Sequence, residues 1–197
     1  MRLTKTQKKT TAELVQERPS PEQIYNLPRL PITLVVDNVR SLDNVGLIFR
    51  LSELARIERL YLTGYTGHPR REDDPREEGI ISRHEHRIFK TAVYAVPFQP
   101  WTYVEDPVPL VKQLKQAGNF VVAVEQTQTS IPYQQARYQL PLTIIVGHER
   151  EGVRQALVDL ADVQIEIPIL GIGNSHNVSH AAAIVLYHIL EKTGQLG

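Results

Sequence analysis

The 197-residue chain contains no cysteine. Disulfides, thiolate metal sites and a cysteine nucleophile are therefore excluded, and a reducing compartment is compatible. No run of eighteen apolar residues occurs, so no membrane-spanning helix is expected. The opening segment MRLTKTQKKTTAELVQERP lacks the apolar stretch of a secretory signal, and the expected location is the cytoplasm. Net charge is also lacking, with 22 Lys and Arg against 22 Asp and Glu, which argues against a large basic nucleic-acid surface. No G-x-G-x-x-G follows the first apolar run, so a dinucleotide-binding oxidoreductase is a weak reading.

What is present is one domain's worth of chain with charge unevenly placed. Residues 1–100 hold 16 basic and 13 acidic side chains, and residues 101–197 hold 6 and 9. Residues 1–30 read as an N-terminal arm. It carries Arg2, Lys5, Lys8 and Lys9, a short helix near Thr11–Gln16, then Pro19, Pro21 and Pro28 as breakers. Such an arm either grips phosphates or frays in solvent. From residue 31 to 197, strand-like runs near 32–37, 59–63, 93–97, 119–124, 142–147 and 163–168 alternate with helical patterns. The helices are expected near 44–56, 106–117, 151–160 and 177–192. Val, Ile and Leu dominate most of the strands, as when both faces are covered. The expected class is α/β, an open, mostly parallel sheet flanked by helices. Residues 64–83 read as a long charged loop, ending in the basic segment RHEHRIFK with Arg83, His84, His86, Arg87 and Lys90. Loops of that length are usually functional or disordered, and a loop that orders on a polyanion is the functional reading.

Three segments carry the chemistry. The first, DNVRSLDNVGLIFR, holds Asn44 and Arg50 behind an apolar run. The second, IIVGHEREGV, places Glu149 in a turn between Gly147 and Gly152. The third, IPILGIGNSHNVSHAAAI, runs from Ile167 through a glycine-containing loop to Ser175, His176 and Asn177 and into an Ala-rich helix. Ser and Asn are natural helix caps, and free N–H groups at a helix start form a binding surface. In this order and spacing the set resembles the motifs of SpoU-type (TrmH-like) RNA ribose 2′-O-methyltransferases, over about Ile32 to Leu190. Three ordered motifs are far more specific than one.

That resemblance implies a C-terminal deep trefoil knot around the segments following Ile144 and Ile167. It also implies S-adenosylmethionine as cofactor, RNA as partner, and a homodimer in which Arg50 faces the partner's cofactor site. Arg50 then acts as a bidentate phosphate clamp rather than a base, because a guanidinium hardly ever deprotonates. The bland alternative is a surface Arg paired with Glu53. Asn44, Glu149, Ser175 and Asn177 complete the catalytic set by resemblance, positioning Arg50 and shaping the ribose pocket. Each also has an ordinary reading as a cap or an acid at a helix start. Cofactor contacts carry over to Glu125, Gly147, Ile167, Ser175 and His176. His148, His176 and His180 depart from the family pattern. His176 and His180 stand four apart, a spacing that can bind metal, but no third ligand is evident, so no metal is expected. A tRNA ribose is the expected substrate. Ribosomal RNA, or a non-catalytic RNA-binding protein that keeps the fold, are the alternatives.

Overall fold

The structure is a computed structural model, and it describes residues 7–196. Arg2 and Lys5 of the basic arm lie outside the described residues. Seven strands form a single all-parallel sheet. They are β1 (Leu30–Asp37), β2 (Ile57–Thr63), β3 (Trp101–Val104), β4 (Phe120–Val124), β5 (Ile131–Pro132), β6 (Leu142–Val146) and β7 (Val163–Glu166). Their order across the sheet is β3-β2-β1-β6-β4-β7-β5. The helices are α1 (Thr11–Gln16), α2 (Pro21–Asn26), α3 (Leu42–Leu54), α4 (Glu78–Ala92), α5 (Pro107–Gln116), α6 (Gln155–Val158) and α7 (Val178–Lys192).

The period-2 pleat sorts the central strands onto two faces. Ile32, Leu34 and Val36 of β1, with Leu142, Ile144 and Val146 of β6, point into one buried layer with Ile48 and Phe49 of α3, Ile88 of α4 and Val185 of α7. Val35 and Ile145 point the other way, against Val111 of α5 and Leu157 of α6. Both faces are covered, so all five residues of β6 are buried.

Three expectations need correction. The run 93–97 is not a strand. Val93 sits at φ 61 as the C-cap of α4, and the third strand begins only at Trp101. The segment 78–92 is not the end of a loop but a helix of 15 residues. Pro21 does not break the arm. It opens α2 behind a capping box of Ser20 and Gln23, where proline's missing N–H does no harm. The arm is tied to the body by Arg56, which donates to the carbonyls of Ile24 (3.3 Å), Leu27 (2.5 Å) and Pro28 (3.0 Å).

The loop before α4 is held by its own polar contacts. Arg76 pairs with Asp74 (2.5 Å) and donates to the carbonyls of His68 (3.0 Å) and Pro69 (3.1 Å). α4 packs against α3 at Gly46, where a Cβ would stand 2.3 Å from the Ile88 carbonyl oxygen and 2.0 Å from Thr91 Oγ1. Only glycine permits that approach.

Candidate functional site

The C-terminal ends of β4, β6 and β7 open into a cleft of about 480 Å³. A crevice outside the carboxyl ends of parallel strands is the usual ligand site of open α/β sheets. Apolar walls come from Val124, Val146, Ile165, Ile167, Val178 and Ala181. Four carboxylates, Glu125, Glu149, Glu151 and Glu166, share the lining with a single arginine, Arg150. Glu125, Gly147, Ile167, Ser175 and His176, expected as cofactor contacts, all line it.

The turn after β6 is rigid for identifiable reasons. A Cβ on Gly147 would lie 2.3 Å from the Gly152 carbonyl oxygen, so the close neighbour of Gly147 is the chain's own backbone. His148 and Gly152 exchange N–H to carbonyl bonds of 3.0 Å each way. The buried His148 ring accepts at Nδ1 from the N–H groups of Glu151 (2.9 Å) and Arg150 (3.3 Å). It is thus a turn-former. Glu125 Oε2 accepts from the Val153 N–H at 2.6 Å, and Gly152, at φ 71, leaves room for that carboxylate. Sequence reasoning missed Asp37 and Arg154. Asp37 is fully buried at the end of β1 and receives Arg154 Nε (2.7 Å) and Nη2 (2.6 Å) in a fork, with Thr63 Oγ1 at 2.7 Å. An acid ending an apolar strand was the available signal.

Glu149 joins the three motif segments. Its Oε1 accepts from the Ser41 N–H (3.1 Å) and from Asn44 Nδ2 (3.2 Å), and its Oε2 from the Arg40 N–H (3.2 Å). Asn44 Oδ1 in turn accepts from Asn177 Nδ2 at 3.0 Å. Asn177 Oδ1 caps α7, accepting from the Ser179 N–H (2.9 Å) and Oγ (2.6 Å). Burial pushes the Glu149 carboxyl up. Bonds from its own N–H, from Ser41 and Arg40, and from the Asn44 amide outweigh that, and hold it below the ordinary value.

Several details differ from expectation. Ser41, not Asn44, caps α3, and Asn44 sits inside the first turn. Asn177 is the cap of α7, while Ser175 lies exposed in the preceding loop. His176 precedes the helix and His180 lies in its first turn, so the two do not form an i, i+4 pair on one helix face. Arg50 is exposed on α3, does not line the cleft, and makes no ion pair with Glu53 among the described residues. Beyond Ile167 the loop stands free. Leu170 and Ile172 are fully exposed, and Gln126 Nε2, donating to the Asn174 carbonyl at 3.0 Å, ties the loop back.

The cleft's size suits a nucleoside-bearing ligand. Its carboxylates suit a cationic one, and its apolar strand ends suit a flat ring.

Known proteins agree in sequence and in fold. A profile described as the SpoU rRNA Methylase family matches residues 31–187. A protein of Aquifex aeolicus named tRNA (guanosine(18)-2'-O)-methyltransferase is 28% identical over 169 residues, covering 84% of this chain and 72% of that one. TrmH-family relatives from staphylococci are 24% identical, and the chain spans only 60–62% of their length. The crystal structure of the A. aeolicus TrmH/SpoU tRNA modifying enzyme superposes with a TM-score of 0.68 at 24% identity, over 89% of this chain and 85% of that one. AviRb from Streptomyces viridochromogenes, solved in complex with AdoMet, has a TM-score of 0.68 at 18% identity, over 88% and 62%. The profile match runs from β1 into α7 and takes in all three motif segments, and the chain belongs to the SpoU rRNA methylase family.

Proposed function

We propose that the chain methylates a ribose 2′-hydroxyl of RNA with S-adenosylmethionine, and that tRNA is the substrate class. One observation carries this reading: the Glu149–Asn44–Asn177 chain of hydrogen bonds, which gathers three motif segments at the rim of an acidic, part-apolar cleft. The name of the A. aeolicus relative supports a tRNA ribose. The description of the matching family favours ribosomal RNA as the second reading. We take residues 31–197 as the methyltransferase domain and residues 1–30 as its arm. The loops after Ile144 and Ile167 are assigned to the knot implied by the family resemblance.

When bound, S-adenosylmethionine supplies a methyl group already activated on sulfonium. The ribose oxygen would gain the methyl as the sulfur–methyl bond breaks, leaving a neutral thioether, and the hydroxyl proton would pass to solvent. The work left to the chain is alignment, which contributes roughly 7–11 kcal/mol in favourable intramolecular systems. Gly147, Ile167, Ser175 and His176 would hold the nucleoside part, and the cleft carboxylates would favour its positive charge. Glu125 acts by fixing the turn. Asn44 and Asn177 keep the motif segments in register, with Glu149 as their shared acceptor.

Arg50 needs a second copy of the chain. It lies on an exposed α3 face with Leu47 and Leu54, and the neighbouring helix α7 exposes Ile184 and Tyr187. Burying that apolar face in a homodimer would deliver Arg50 to the partner's cleft, where it would clamp the phosphate beside the target ribose. No described helix is long and apolar enough to cross a membrane. The compartment we assign is the cytoplasm.

The test is methyl transfer to total RNA from cells lacking the gene, with ribose methylation mapped. Arg50→Ala should lose on the order of 10²–10³ in rate while keeping cofactor affinity. Mixing Arg50→Ala subunits with a cleft mutant should restore part of the activity. A fully active monomer, or a wild-type Arg50→Ala rate, would refute the shared site. No saturable binding of S-adenosylmethionine by calorimetry would refute the whole reading.

A further inference from the structure

The cleft poses an electrostatic problem for an RNA enzyme. Its lining carries four carboxylates and one arginine, so the ribose phosphates gain little from its walls. The phosphate backbone must be held elsewhere, and close by. On α4 the side chains of Arg83, His86, Arg87 and Lys90 are all exposed. Their spacing of three, four and seven residues puts them on one helix face, spanning about 10.5 Å along the axis. The helix's acids Glu78 and Glu85 fall on the opposite side, where Arg70 takes them up.

This face is fixed in place relative to the site. The Gly46 contact locks α4 onto α3 at backbone distance. Thr91 Oγ1 donates to the Asp43 carbonyl at 3.0 Å, and Arg87 pairs with the Asp43 carboxylate at 2.6 Å. Asp43 begins the same α3 face that carries Arg50 two turns later. The first turn of α3 also holds Ser41 and Asn44, which bond Glu149.

We propose that the α4 face formed by Arg83, His86, Arg87 and Lys90 is a track for the RNA phosphate backbone, running beside Arg50. The proposal rests on the RNA methyltransferase reading and deepens it. Arg87 is partly neutralised by Asp43, so Arg83 and Lys90 carry most of the free charge. If Arg50 serves the partner's cleft, RNA lying on one subunit's α4 is methylated at the other subunit's site.

The experiment measures binding of radiolabelled bulk tRNA to the intact 197-residue chain across a salt series. The electrostatic contribution is independent of sequence, so the exact target is not needed. Arg83→Ala with Lys90→Ala should weaken binding and lower the slope of log affinity against log salt by about 2, one for each lost phosphate contact. The swap Arg83→Lys with Lys90→Arg should keep the wild-type slope. Lys112→Ala on α5, on the other face of the sheet, should leave it unchanged. Affinity for S-adenosylmethionine should stay within about twofold of wild type in the double alanine variant, which shows that the fold and the cleft are intact. An unchanged slope in that variant, with wild type binding RNA, overturns the track alone. A wild-type protein that binds no RNA at any salt overturns the RNA reading and the track together.

Discussion

Two glycine-containing loops wall the cleft, and they are built in opposite ways. At the 147–154 turn every short contact is used. Gly147 abuts Gly152, His148 accepts two N–H groups, Glu125 grips Val153, and Arg154 forks onto Asp37. At the 167–177 loop, a Cβ added to Gly171 or Gly173 would meet nothing within 4 Å. Its Leu170 and Ile172 side chains point into solvent. A glycine in a binding loop therefore has two separate uses: in one wall it admits the chain's own backbone, in the other it leaves the backbone free to settle on a ligand. The first wall is preformed, and the second is open to adjustment by cofactor, RNA or a second subunit.

The comparison breaks most severely at Arg154. Arg154→Ala leaves the fully buried Asp37 without its cation, and such uncompensated charges cost about 3 kcal/mol or more. Urea unfolding should register it, and an unchanged midpoint would show that the turn does not depend on this pair. Next comes Gly147→Ala. Its Cβ would meet backbone atoms at 2.3–2.5 Å, so overpacking should cost roughly 1–3 kcal/mol and cofactor binding should fall with it. Thermal melts and calorimetry read the two losses together.

A smaller effect, about 1 kcal/mol, is expected for Glu149→Gln, which loses charge-assisted acceptors in a half-buried place. Its sign with pH follows from the lowered pKa. The carboxylate's contribution is fully present above its ordinary value of 4.5, and is lost as pH falls through the still lower folded value. Wild type and Glu149→Gln should therefore differ in stability at pH 7 and converge as the solution is acidified below that range. Parallel curves would remove Glu149 as the anchor. Smallest of all, Gly173→Ala should change stability by less than about 0.5 kcal/mol. A large loss there would mean that the second wall is as tightly built as the first.

Much of this was legible in the sequence. The alternation of apolar runs marked β1, β2, β4, β6 and β7 to within a few residues, and the three motif segments marked the cleft and its rim. What stayed hidden has physical causes. α4 buries only Ile81, Ile88 and Ala92, so its sequence looks like a charged loop. Its apolar stripe is thin because one side faces solvent and because Gly46 lets the backbones approach without side chains between them. VYAVPF imitates a strand, but it is a helix cap followed by a turn. The Asp37–Arg154 pair joins positions 117 residues apart and belongs to no local pattern. For Arg50 the spacing to Glu53 left a surface pair as the alternative reading, and among the described residues no such pair forms.

The Glu149–Asn44–Asn177 link has one further consequence, which concerns synthesis. Its bonds span 105 and 133 residues of sequence. Contacts of that reach form late, after loop closure has been paid for by the sheet between them. A chain emerging from the ribosome N-terminus first completes β1, and with it the segment bearing Asn44, long before Asn177 exists. The rim of the cleft can close only when the last helix has left the exit tunnel and docked. A nascent chain that has not yet released Asn177 therefore lacks both the side chain that joins the third motif to the first and the core residues of α7 that cover the sheet.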